Sequence, residues 1–202
     1  NEQESLELIS RMIQNSKKNL QMGSGNLFLL WGYLCTATAL LVYALVTLTR
    51  HDYWNYAWFL IPLIGFPCHF WMRRKRTKPV TTYIDKVLRM MWRNVAFGIG
   101  SWLVILVIYT LTDKWKLNYI SMIIPFSLIM CAAGAMFSGG ILKDRWMTIS
   151  GGAAFIASLP IFISVLSADE ATSYLFYALC FVLMMVIPGH RINYKAKEES
   201  HV

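Results

Sequence analysis

Six stretches of this chain contain no Asp, Glu, Lys or Arg: Asn26–Thr49, Tyr53–Met72, Asn94–Thr112, Leu117–Leu142, Trp146–Ala168 and Ala171–Gly189, each 19 to 26 residues long. About 20 residues of α-helix, rising roughly 1.5 Å apiece, cross the roughly 30 Å hydrocarbon core of a bilayer. Lipid supplies no partners for backbone N–H and C=O groups, so a crossing segment must pair them internally, as a helix does. The runs therefore predict an all-α integral membrane protein with six transmembrane helices, at 26–49, 53–72, 93–112, 118–138, 146–167 and 171–189. They take up 131 of the 202 residues, which leaves no length for a separate soluble catalytic domain. The chain reads as a single membrane domain over 1–202, and any chemistry must come from the helices or their ends.

Charge orients the threading. Sixteen of the nineteen Lys and Arg residues fall on one side: Arg11, Lys17, Lys18, the eight within Arg73–Arg93, Lys143, Arg145, Arg191, Lys195 and Lys197. Arg50, Lys114 and Lys116 fall opposite. Basic residues are retained on the cytoplasmic side, so both termini are expected to be cytoplasmic. The same rule accounts for the net charge of +8, which is then no evidence for nucleic acid as a partner. Cys35, Cys68, Cys131 and Cys180 all lie inside apolar runs without a CxxC pair, which argues against a disulfide framework or a zinc ribbon. The first run is too long for a signal-peptide core and is read as a retained span.

Short connections at Arg50–Asp52, Asp113–Lys116, Lys143–Arg145 and Asp169–Glu170 predict three antiparallel hairpins, with Ser138-Gly139-Gly140 drawn into one turn. Residues 3–21 repeat Leu6, Ile9, Ile13 and Leu20 at helical spacing, as an interfacial amphipathic helix does, and Gly23-Ser24-Gly25 is expected to break that helix before the first span. The basic connection 73–92 is expected to hold the membrane surface, with an apolar stripe of Val80, Ile84, Val87, Leu88 and Met91 running into span three. Aromatic residues mark span ends: Tyr53, Trp54, Tyr56, Trp58, Trp115 and Tyr119 outside, and Trp71, Trp92 and Trp146 inside. The even spans share an echo, with aromatics at the outer end and Pro or Gly near the inner end before basic residues. A repeated hairpin would produce it.

Few residues suggest chemistry. The central thirds of the spans carry no Asp, Glu, Lys or Arg, whereas ionisable groups within a membrane mark ion pathways and proton relays. Prolines 62, 67, 125, 160 and 188 are expected to bend their spans. His69 and His190 each follow Pro-x near the inner end of an even span. With Cys68 they are the candidate metal ligands, but a third hard ligand is not apparent, so no metal or other cofactor is expected. His51-Asp52 reads as a solvated turn. Arg73, Arg74, Lys75, Arg76, Lys78, Lys86, Arg89 and Arg93 form a candidate surface for anionic phospholipid head groups or an acidic partner, each basic side chain contributing about 1 kcal/mol near an anionic leaflet. The small pair Gly134/Ser138 and the Gly151-Gly152 step in the fourth and fifth runs suit close helix packing, a subunit interface or a ligand cavity.

Leu30-Trp31-Gly32-Tyr33, Phe59-Leu60-Ile61-Pro62-Leu63-Ile64-Gly65, Pro188-Gly189-His190-Arg191-Ile192-Asn193 and the early Glu4–Ser10 segment resemble a group of small multipass membrane proteins from Bacteroidetes. That resemblance implies a bacterial inner-membrane location and brings no catalytic motif. The function expected is a non-enzymatic membrane component acting through protein–protein contacts at its cytoplasmic face, as a sensor, regulator or accessory subunit, alone or as a homo-oligomer. The alternatives are a small transporter or channel for a neutral or weakly polar solute, and a membrane-embedded lipid-modifying enzyme using His69 and His190.

Overall fold

The computed structural model describes residues 2–74, 83–112, 121–167 and 170–200. Among these, every regular element is helical: α1 (Glu2–Thr49), a 3-10 segment (Asp52–Phe59), α2 (Leu60–Arg74), α3 (Tyr83–Leu111), α4 (Ile123–Leu142), α5 (Arg145–Leu166), α6 (Glu170–Phe181), a π segment (Val182–Val186) and α7 (Ile187–Ser200). Five stretches are long and apolar enough to cross a membrane: Gly25–Thr49, Lys86–Tyr109, Ile123–Leu142, Arg145–Leu166 and Ala171–Tyr194.

The expected break at Gly23-Ser24-Gly25 does not occur: α1 is one helix of 48 residues. Glycine inside a helix costs only about 1 kcal/mol against alanine, too little to end a helix whose neighbours favour it. At Gly25 the absent side chain has another use. A Cβ there would collide with the Asn193 side chain and the Gly189 carbonyl, and one at Gly32 would stand 2.9 Å from Val186. These glycines let α1 lie close against the π segment and α7. The amphipathic stripe of Leu6, Ile9, Ile13 and Leu20 lies outside the described side chains, as does Val80 of the basic connection.

The second run departs from a single α-helix. Arg50, in the left-handed region at φ 53°, ends α1, and the chain re-enters through the 3-10 segment before α2 begins. Side chains three apart line up in a 3-10 helix, so Asn55 and Trp58 both turn inward, at 1% and 4% exposure. Trp58 is therefore a core residue and not the interfacial anchor that its position suggested. Lys114, Trp115, Lys116 and Tyr119 lie outside the described residues.

Between α4 and α5 the turn falls within the expected connection Lys143–Arg145, but Ser138-Gly139-Gly140 are not drawn into it. All three stay helical, and the reversal falls on Lys143, at φ 54°, and Asp144. Asp144 caps α5, its carboxylate accepting from the Met147 N–H at 3.2 Å. Gly139 serves close approach: a Cβ would stand 2.6 Å from the Thr148 nitrogen. At the last run, the π segment precedes Pro188 and the helix continues to Ser200. Proline removes one N–H and presses its ring on the carbonyl four residues back, and the wider π turn makes room for it without ending the helix.

α4 packs most extensively on α5. α1 lies against α6, the π segment and α7 on one side and against the 3-10 segment and α2 on the other, while α3 packs chiefly on α4. The core follows helical spacing, with Ile124, Leu128, Ala132 and Ala135 of α4 fully enclosed beside Tyr174, Tyr177 and Phe181 of α6 and Met184 of the π segment.

Candidate functional site

Two polar regions emerge, one inside the bundle and one at its end. The internal one joins four elements. The Tyr174 hydroxyl donates to Asn55 Oδ1 at 2.8 Å, and the Trp58 Nε1–H reaches the same oxygen at 3.4 Å. Ser127 and Tyr177 share a hydrogen bond at 3.1 Å, and Cys35 of α1 also contacts the Tyr177 hydroxyl. Trp58 stacks edge-on against Tyr177 at 5.3 Å. Buried polar groups must find partners, and these satisfy one another while tying the 3-10 segment to α6, and α6 to α1 and α4.

The second region is the end where Asn26, Trp92, Ser138, Trp146 and Asn193 meet. Asn193 Nδ2 donates to Asn26 Oδ1 at 2.7 Å, and Trp92 Nε1 donates to Ser138 Oγ at 3.0 Å. Phe28 packs edge-on to Trp92 at 5.3 Å, and the Arg191 guanidinium stands over the Trp146 ring at 5.9 Å. Around this end Arg93, Lys143, Arg145 and Arg191 are exposed, with Lys86, Arg89 and Lys197 on the helical extensions beyond it and Arg74 exposed at the end of α2. Asp144, by contrast, is buried. The Arg73 side chain, Lys75, Arg76 and Lys78 lie outside the described residues. Exposed Lys and Arg side chains grouped in this way recognise phosphate or carboxylate groups.

The small residues of α4 and α5 divide. Gly134 and Ser138 receive the Trp92 indole, whose nearest ring atom would be 3.2 Å from a Gly134 Cβ. Trp92 thus joins helices and is not a membrane-surface anchor. Gly151 sits 2.9 Å, measured from its would-be Cβ, from the Met136 backbone nitrogen, whereas Gly152 faces open space. Of the alternatives the small residues left open, close helix packing describes Gly134 and Gly151.

The candidate metal ligands are placed differently from one another. His190 is exposed and its Nε2 lies 2.7 Å from the Tyr33 hydroxyl. His69 stacks edge-on with Phe70 at 6.0 Å, and Cys68 is a half-buried free thiol. Among the described residues no three His, Cys, Asp or Glu side chains converge to hold a metal ion. Sequence reasoning missed Asn55, Tyr174, Tyr177 and the α1 glycines. A signal existed only for the last, since Gly25 and Gly32 stand one heptad apart on one helix face. No protein-family model, curated protein or solved structure matches this chain.

Proposed function

We propose that this chain is a six-span protein of a bacterial inner membrane, with both termini cytoplasmic, that acts without catalysis as a contact platform: a sensor, regulator or accessory subunit. The observation that carries the reading is an asymmetry between the two ends of the bundle. At one end the helices outrun their apolar spans, for α1 starts at Glu2 and its span at Gly25, while α7 runs to Ser200 and its span stops at Tyr194. Among the described residues, eight of the nine exposed Lys and Arg lie at this end, and Arg50 lies at the other. The other end is closed by the 3-10 segment and its buried Asn55.

The sixth crossing is the composite of the 3-10 segment and α2. At about 2.0 Å per residue for the first and about 1.5 Å for the second, they reach about 38 Å, enough for the hydrocarbon core. The packing of α1 with the composite, α3 with α4, and α5 with α6 supports the reading as three hairpins. The resemblance to Bacteroidetes membrane proteins supports the location. The filled sites at Gly134 and Gly151 favour contact over transport.

The test is photo-crosslinking in cells from a benzoyl-phenylalanine placed at Glu7, Arg89 or Tyr56. Adducts with a protein partner are expected from Glu7 and Arg89 and none from Tyr56. Absence of adducts from both cytoplasmic positions would overturn the reading.

A further inference from the structure

Where α4 turns into α5 the surface holds a depression of about 320 Å³ lined by Gly139, Gly140, Lys143, Asp144, Arg145, Thr148 and Ile149. We propose that it binds the phosphate head group of an anionic phospholipid, with an acyl chain lying along Ile149; the proposal rests on the membrane reading above. Three observations converge on that ligand. The first is charge: Lys143 and Arg145 are both exposed at the depression. The one carboxylate there, Asp144, is 7% exposed and accepts from the Met147 N–H. Two cations thus face outward, and the carboxylate is turned into the fold. The amino end of α5 is already capped by Asp144 and is not the anion's donor.

The second observation is space. A Cβ on Gly140 would meet nothing within 4 Å, so the backbone is bare where a head group would rest. The third is depth. Leu142 and Arg145 are the ends of two apolar spans, so the depression lies where hydrocarbon gives way to head groups. Ile149, one turn further along α5, is 70% exposed. A cationic pocket between spans at that level, with an apolar wall below it, fits an amphiphile better than free phosphate.

The same geometry supplies matched variants. Lys143→Gly removes the ammonium and suits the left-handed backbone at that position. Arg145→Gln removes the guanidinium. Gly140→Leu brings a side chain to the depression from a position where a Cβ meets nothing within 4 Å, and Gly152→Leu makes the same change at another open position, outside it. Delipidated protein in neutral detergent would be titrated with phosphatidylglycerol, phosphatidylcholine or inorganic phosphate and followed by native mass spectrometry.

The wild type should hold one phosphatidylglycerol more tightly than phosphatidylcholine. Each cation removed should weaken phosphatidylglycerol binding about fivefold. Gly140→Leu should weaken it at least as much, and Gly152→Leu should bind like the wild type. Unchanged phosphatidylglycerol binding in Lys143→Gly/Arg145→Gln, or in Gly140→Leu, would overturn the site. Release of the bound lipid by a tenfold excess of inorganic phosphate would overturn its assignment to a lipid. Failure of the membrane reading itself would show separately, as recovery of the full chain from cells without detergent.

Discussion

Trp92 holds three helices with one side chain. Its ring meets Phe28 of α1 edge-on, its Nε1–H reaches Ser138 of α4, and its six-membered ring covers Gly134. Trp92→Phe should lose the hydrogen bond but keep most of the packing, a loss of about 0.5–1.5 kcal/mol. Gly134→Leu should cost more, about 1–3 kcal/mol, because the added side chain must displace the indole. Thermal unfolding in detergent micelles, read by circular dichroism, checks both; Gly134→Leu as stable as wild type would refute this account of the contact. The residue pattern placed Trp92 toward one end of an apolar helix. It could not show which way the ring turns about the helix axis, because a tryptophan at a span end serves equally as a surface anchor and as an interhelical wedge.

At the scale of elements, the α4–α5 pair shows why adjacent glycines differ. Gly151 faces α4, where a Cβ would stand 3.0 Å from the Ala132 carbonyl, and Gly152 faces away. Gly151→Leu should therefore push the helices apart and destabilise the bundle by about 1–3 kcal/mol. Gly152→Leu should fold at least as well as the wild type, since leucine is the better helix former. The two are compared by the temperature at which each protein aggregates in micelles. Equal loss in both would mean that α5 is rotated from the arrangement described. The small-residue cluster was legible in the sequence as a packing surface, but the choice between its members was not. Each residue turns about 100° from its neighbour around a helix, and only the position of the partner helix decides which one is covered. The same limit applies to the 3-10 segment. Its uncharged stretch reads as helix, but the tighter winding lets Asn55 and Trp58 face Tyr174 and Tyr177 together, a relation to a helix more than a hundred residues away.

For the whole molecule, one side of the membrane should differ from the other. Single cysteines at Tyr53 and at Lys197 would be treated in intact spheroplasts with a membrane-impermeant maleimide. Label is expected at Tyr53, which is 48% exposed, and at Lys197 only after lysis; the reverse pattern would invert the topology. Apolar length and the bias of Lys and Arg are one-dimensional quantities, since crossing a bilayer is a matter of residues per helix and uncompensated charge per segment. The sequence alone therefore determined an all-helical chain, stretches apolar enough to cross a membrane, and the side expected to carry the cations. What only the tertiary structure decided is everything that depends on direction around an axis or on a distant partner. α1 continues through Gly23-Ser24-Gly25 with α7 close against Gly25, and Ser138-Gly139-Gly140 stay helical with Gly139 close against Thr148. The long basic connection is the cluster that stands out along the chain. Folding brings Lys143 and Arg145 around a bare glycine and turns Asp144 inward, and that juxtaposition exists only once the α4–α5 turn has closed.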